Sequence, residues 1–290
     1  MATEQLEECT VCSVETTSRC STCSTPFCSK EHQKLLWPTH KTLCLAGGRL
    51  VCPPLSQNEV DFLEPFQDTI FETGGGRCNY LGILGIFGVW KGSWKRLMST
   101  LSDPSSDMPE QDRTIAILAI RKLMVQQQLD AHALGMPPFR YTAWHYLGND
   151  AITVLNDHFQ PEPECPPKET WWEDAQPFLK QALVMHTLLI SALYKRPKKE
   201  DLPLLRLAVE RTIGEFEKLE VGAVRKKRSM KNLVSELDVP RRMAKSLDRG
   251  PEWGWASAFF GFKQTEGKKL QEEREKKAAE AAEATRGRRS

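Results

Sequence analysis

No stretch of this chain is apolar over the roughly 20 residues needed to cross a bilayer. Tyr80 to Trp90 is too short, and Leu179 to Tyr194 carries Lys180 and His186. Met1 to Glu8 reads MATEQLEE and lacks the apolar segment of an export signal. The expectation is therefore an intracellular protein, in nucleus or cytoplasm, with reduced thiols. An excess of charge of one sign is lacking too: 40 lysines and arginines against 38 aspartates and glutamates leave a formal net charge of +2, against a dedicated nucleic-acid binder, whose surface is normally strongly basic. A phosphate-cradling loop is missing as well, because Gly74-Gly75-Gly76 has no lysine and hydroxyl placed behind it, so a stop and turn is expected there.

What is present suffices for a core. Apolar residues make up 40% of the 290 and charged ones 27%, which fits a small finger plus one substantial globular domain. Of nine cysteines, six fall between Cys9 and Cys44. Cys52, Cys78 and Cys165 have no histidine at chelating spacing and read as buried apolar thiols.

Cys9, Cys12, Cys20, Cys23, Cys28, His32, His40 and Cys44 form four pairs within 36 residues. Two residues separate the members of the first two pairs, a gap that suits zinc knuckles; three separate those of the last two, which puts them at i and i+4 on one helix face. Eight donors make two sites. Thiolate mixed with imidazole favours zinc, and four protein ligands per ion leave no position for a reactive water, so the two zincs are expected to be structural. A structural zinc contributes about 10–16 kcal/mol to folding, against about 1–2 kcal/mol to order each residue. Without metal the segment should unfold. Histidines at ligand spacing would have no role in a disulfide framework.

The successive gaps of two, seven, two, four, three, seven and three residues resemble the MYND zinc finger throughout, as does the run from Phe27 through His32 and Gln33 to Trp37, His40 and Cys44. The resemblance implies interleaving, with Cys9, Cys12, Cys28 and His32 on one ion and Cys20, Cys23, His40 and Cys44 on the other. It also implies a shallow groove for a short proline-containing peptide of a protein partner, with Gln33 and Trp37 at the groove positions. His32 stands where the family usually has cysteine, which removes one thiolate and makes metal uptake more sensitive to imidazole protonation. Pro38, directly after Trp37, predicts a helix break with a new helix beginning there.

Beyond the finger, the glycines and prolines of residues 45–58 predict a linker, in which Pro53-Pro54-Leu55 faintly resembles a finger ligand and could dock in cis. Glu64-Pro65 reads as a helix start, with Phe66, Ile70 and Phe71 at helical spacing. Tyr80 to Met98, with glycines at 82, 85, 88 and 92, is compatible with a closely packed helix, a buried strand or an irregular segment. Asp112 is placed to cap a helix from Arg113 to about Asp130, with Ile115, Leu118, Lys122 and Val125 marking its repeat. A further helical pattern carries His145, Asp150, Asp157 and His158, expected to be satisfied polar residues. A proline-rich break at 160–168 separates two expected lobes, and Trp171-Trp172 is expected to close a core. Helices over Asp174 to Tyr194 and Pro203 to Leu219 look like an antiparallel pair, with basic runs at Lys195 to Asp201 and Arg225 to Ser229 in solvated loops. Trp253, Trp255, Phe259, Phe260 and Phe262 form an aromatic cluster, and beyond Lys268 the composition is that of a charged tail.

The expected class is thus mostly α: a tail at 1–8, a two-zinc MYND-type finger at 9–44, a linker at 45–58, a larger helical domain at 59–262 and a charged helical or disordered tail at 263–290. The expected function is a zinc-dependent protein-interaction module or adaptor, not an enzyme and not a membrane protein. The alternative is a relative of SET-type lysine methyltransferases, because some MYND fingers are inserted into a SET domain. Against it, only eight residues precede Cys9, no Asn-His pair occurs, and Cys52, Cys78 and Cys165 lack zinc spacing. A nucleic-acid-associated regulator is a third class, weakened by the mixed character of Lys30, Glu31, Lys34 and Lys41.

Overall fold

The structure is a computed structural model that describes residues 6–73, 76–86, 89–137, 139–158, 168–195 and 198–225. Residues 160–167 of the break expected at 160–168, the RKKRS run beyond Arg225, the aromatic cluster at 253–262 and the tail from 263 lie outside the described residues. Among those described, the chain is mostly helical, with strands confined to two short hairpins.

The finger opens with the antiparallel pair β1 (Glu7–Glu8) and β2 (Glu15–Thr16). A second turn is closed by the bridge between Arg19 and Pro26. Then comes α1 (Lys30–Leu45), whose first turn is capped by Ser29 Oγ accepting from the His32 amide at 3.2 Å. Gly47 and Gly48, at φ +61° and +82°, end α1, with the Gly48 amide donating back to the Leu43 carbonyl at 2.8 Å.

The break expected at Pro38 does not occur, since α1 runs straight through it. An internal proline costs a helix about 3 kcal/mol, well below what metal ligation on both sides of it contributes. Cys28 and His32 lie before Pro38 and His40 and Cys44 after it, so a break there would shift one pair of donors relative to the other and to its own knuckle.

Residues 49–55 cross from the finger into the body as a packed strap: Leu50, Cys52 and Leu55 are buried, the Leu50 amide donates to Gln176 Oε1 at 2.8 Å, and the Leu55 amide donates to the Leu101 carbonyl at 3.0 Å. Pro53 to Leu55 is thereby committed to the body and does not dock on the finger.

The helix expected from Glu64 gives way to an earlier start. Ser56 and Glu59 form a capping box that begins α2 (Gln57–Leu63); a 3-10 turn at Glu64–Phe66 follows, and Phe71 falls in β3 (Phe71–Thr73), paired with β4 (Gly76–Cys78). The segment compatible with several classes is helical at α3 (Tyr80–Ile86) and α4 (Trp94–Ser102).

The helix expected from Arg113 begins three residues earlier, as α5 (Glu110–Gln126), with Asp112 inside its first turn. After Gln127 comes α6 (Gln128–Ala133). From Thr114 to Arg121 every residue of α5 is buried, which makes it the central rod of the body. Arg121, rather than Lys122, is the charged residue that enters the core. Around α5 pack α3, α4 and α7 (Ala143–His158); α7 packs on α8 (Lys168–Lys195), and α8 folds back through a short connection onto α9 (Leu202–Arg225). Trp172 is buried in this core as expected. The finger is seated by α1 on α8.

The closest approach in the body is at Gly148 of α7, where an added Cβ would lie 2.3 Å from the Leu118 carbonyl oxygen and 2.7 Å from the Lys122 amide nitrogen. Backbone cannot swing aside as a side chain can. Gly148→Ala should therefore cost about 3 kcal/mol in urea unfolding, whereas Gly214→Ala in α9, with open space around it, should gain about 0.5–1 kcal/mol. Equal midpoints for the two variants would contradict this packing.

Candidate metal centre

Each knuckle turns back on itself: the Ser13 amide donates to the Cys9 carbonyl at 3.0 Å, and the Ser24 amide to the Cys20 carbonyl at 2.9 Å. Both serines take left-handed backbone, at φ 61° and 58°. This turn lets two cysteines separated by two residues aim their sulfurs at one point. The helix supplies the complementary donors. Cys28 sits just before the cap of α1 with His32 one turn inside it, and His40 and Cys44 lie on adjacent turns near its end.

The fold sorts the eight donors into Cys9, Cys12, Cys28 and His32, and Cys20, Cys23, His40 and Cys44, with the ligand atoms of each set all within 4.8 Å of one another. In the first, His32 Nδ1 is 3.4 Å from Cys9 Sγ and 3.1 Å from Cys28 Sγ, and the sulfurs of Cys12 and Cys28 are 3.5 Å apart. In the second, Cys20 and Cys44 sulfurs are 3.8 Å apart and Cys23 Sγ is 3.7 Å from His40 Nε2. A tetrahedron with zinc–sulfur bonds of about 2.3 Å and zinc–nitrogen bonds of about 2.05 Å has edges of about 3.5–3.8 Å. The donor spacings, from 3.1 to 3.8 Å, lie at or just inside those edges and exceed a disulfide bond by far, and the six cysteines are free thiols.

The titration behaviour agrees with a cation site. In Cys9, burial is outweighed by the backbone amides of Cys28 and Cys12 and by His32, holding the thiol near 6; His40 and the amides of Thr22 and Cys23 do the same for Cys20, also near 6. Burial and the thiolates of Cys12 and Cys9 push Cys28 up to about 12, and burial with Cys23 and Cys20 pushes Cys44 to about 11. Thiols this crowded cannot all ionise together unless a divalent cation lies among them. The residues therefore fit two zinc sites of three thiolates and one imidazole each. Zinc bound there would supply cross-linking of both knuckles to α1. Around the second set, Phe27 meets the His40 ring edge-on at 5.1 Å and Thr25 Oγ1 lies 3.0 Å from Cys23 Sγ.

Gln33 and Trp37 both lie on α1; Trp37 is 47% exposed and its ring is tilted against His40 at 6.0 Å between centroids. Neither lines the cavity of about 330 Å³ where the finger meets Lys180 and Val184 of α8.

Residues 9–44 match the family model of the MYND finger. No curated protein and no solved structure matches the chain significantly. Residues 9–44 thus form a MYND finger, a protein-interaction module rather than a catalytic one, joined to a helical region. Among the described residues no helix is long and apolar enough to cross a membrane.

A second polar centre lies in the body. Arg121 Nε donates to Glu59 Oε1 at 2.6 Å, its Nη2 to Glu59 Oε2 and the Pro54 carbonyl, both at 3.2 Å, and its Nη1 to Cys52 Sγ at 2.8 Å. Cys52 is buried as the sequence suggested, yet as a hydrogen-bond acceptor. The Glu59 carboxylate also caps Ser56, accepting from its amide at 2.8 Å and its hydroxyl at 2.9 Å. His145 is satisfied at one nitrogen only, its Nδ1 accepting from the Thr142 amide at 2.9 Å while its buried Nε2 has no hydrogen-bond partner, and Asp150 pairs with His186 at 2.7 Å; the side chains of Asp157 and His158 lie outside the described residues. The legible clues were the Ser56-x-x-Glu59 spacing and a lone arginine in the apolar run around Ile120.

Burial disfavours the Glu59 charge, but His145, Arg121 and Ser56 hold its carboxyl well below the usual range. A depressed folded-state value means that the unfolded chain binds more protons in acid, so this stabilisation is full above the unfolded carboxylate range and is lost as pH falls. Glu59→Gln should cost about 3–5 kcal/mol at neutral pH by leaving Arg121 buried and unpaired. The gap between wild type and variant in urea unfolding should narrow below about pH 4.5. Zinc loss in acid acts on both proteins, so the difference isolates Glu59; a gap that widens in acid would contradict the assignment.

Proposed function

We propose that the protein is a zinc-dependent adaptor, not an enzyme, whose finger recruits a proline-containing peptide of a partner protein through a shallow groove marked by Gln33 and Trp37. The observation that carries it is the exposure of Trp37. Leu36, Thr39 and His40 around it on α1 are buried, while Trp37 presents about half of its surface to solvent beside the exposed Pro38. Tryptophan is a frequent anchor of binding surfaces.

The distribution of other exposed apolar residues supports the same end of the molecule. Of the seven large hydrophobics exposed among the described residues, four belong to the finger region: Leu6, Val14, Trp37 and Leu45. Tryptophan faces stack well on proline rings, whose fixed backbone lowers the entropy lost on binding. The His40 ring against Trp37 supports the indole from within the second donor set, so the surface depends on metal. Reduced thiols suit an intracellular setting.

The test is calorimetric titration of the zinc-loaded chain with a synthetic proline-and-leucine peptide. Trp37→Ala should weaken binding by about 30-fold or more, as loss of a hot-spot anchor does, and Gln33→Ala by less, with zinc content unchanged in both. Unchanged affinity in Trp37→Ala, or wild type that does not bind the peptide, would sink the groove.

A further inference from the structure

A cavity of about 630 Å³ opens over the Glu59–Arg121 pair, between α2, the loop before α7 and the first turn of α7. Core packing faults seldom exceed the size of a water molecule, whereas small-molecule sites span about 300–1,000 Å³. Its walls include Phe62, Phe139 and Trp144, and the ring centroids of Phe62 and Phe139 are 5.1 Å apart. Its floor is Glu59, Arg121 and His145, each buried.

The floor carries charges but offers none. Glu59 is covered by Arg121 and Ser56, and Arg121 spends four of its five N–H donors on Glu59, Cys52 and Pro54. A cation would find a carboxylate already neutralised, and an anion would meet the same pair from the other side. His145 differs. An amide N–H can only donate, so the bond from Thr142 N to His145 Nδ1 leaves Nδ1 without a proton and puts the ring proton on Nε2. This Nε2 lies 3.1 Å from Glu59 Oε1, near enough to help hold that carboxyl ionised, yet it makes no hydrogen bond of good geometry. The ring is 3% exposed. A buried donor without an aligned acceptor, in the floor of a cavity with aromatic walls, sets the demand on a ligand.

We propose that this cavity is a binding site for an uncharged, largely apolar small molecule bearing a carbonyl group, with the carbonyl oxygen accepting from His145 Nε2–H and the apolar body lying against Phe62, Phe139 and Trp144. His145 is a recognition donor there and not a base, since its free lone pair at Nδ1 is taken by Thr142. The site belongs to the helical body, so its failure would leave the finger's role untouched.

The test uses the full zinc-loaded chain, labelled with nitrogen-15 and titrated with acetanilide, toluene, benzoate and benzylamine, following the Trp144 indole and His145 ring signals. Acetanilide should bind saturably, with toluene about three- to tenfold weaker for want of the hydrogen bond. Benzoate and benzylamine should be weaker than acetanilide by about tenfold or more, because either charge must be desolvated without a partner. His145→Phe should bring acetanilide down to the level of toluene. Phe139→Ala, at a half-buried wall, should weaken acetanilide and toluene alike and keep their ratio, which guards against a misfolded His145 variant. Equal binding of toluene and acetanilide, preference for benzoate or benzylamine, or no saturable change at Trp144 with any of the four would overturn the proposal.

Discussion

Everything at the amino-terminal end depends on chelation that crosses the chain order. Each donor set takes one knuckle and one pair from the start or the end of α1, with Cys28 just before its cap, so each metal site forms only when its knuckle has met the helix. Short hairpins of two residues per strand bury too little to be stable alone. Ligation supplies what packing cannot, and it explains two local oddities together: serines held in left-handed backbone after Cys12 and Cys23, and a helix that passes through Pro38 unbroken.

The finger is not a bead on a string. Its helix packs on α8, and the strap after it is pinned by Gln176. From α9, Arg211 Nη1 donates to the Cys9 carbonyl and to Ser13 Oγ, while its Nη2 lies 3.4 Å from Glu8 Oε2. These contacts fall on the first knuckle, so the body braces the finger both there and along α1. Such an arrangement suits the proposed adaptor role, in which a rigid mount would fix the direction of the finger.

The metal ligands were legible because chelation writes itself into spacing: the gaps around Cys9, Cys20, Cys28 and His40 leave few geometries open. Periodicity served the long helices, α7 to α9, where an apolar stripe repeats. It failed where short-range chemistry decides. Phe66, Ile70 and Phe71 had helical spacing, yet the Ser56–Glu59 capping box started a helix earlier and Phe71 went into a hairpin. Pro38 misled because sequence rules price a helix without its metal. The Glu59–Arg121–His145 centre was hidden for another reason: its members stand 62 and 24 residues apart, and only the crossing of α2, α5 and α7 joins them.

The central claim is that the donors are interleaved, and substitution of cadmium-113 for zinc tests it most directly. Metal content alone is too blunt, because interleaved and consecutive pairing both use six sulfurs and two imidazoles across two ions. Interleaving predicts two cadmium resonances, each coupled to one histidine ring, through Nδ1 for His32 and Nε2 for His40. One resonance coupled to both rings and the other to none would mean consecutive pairing, and would contradict the account.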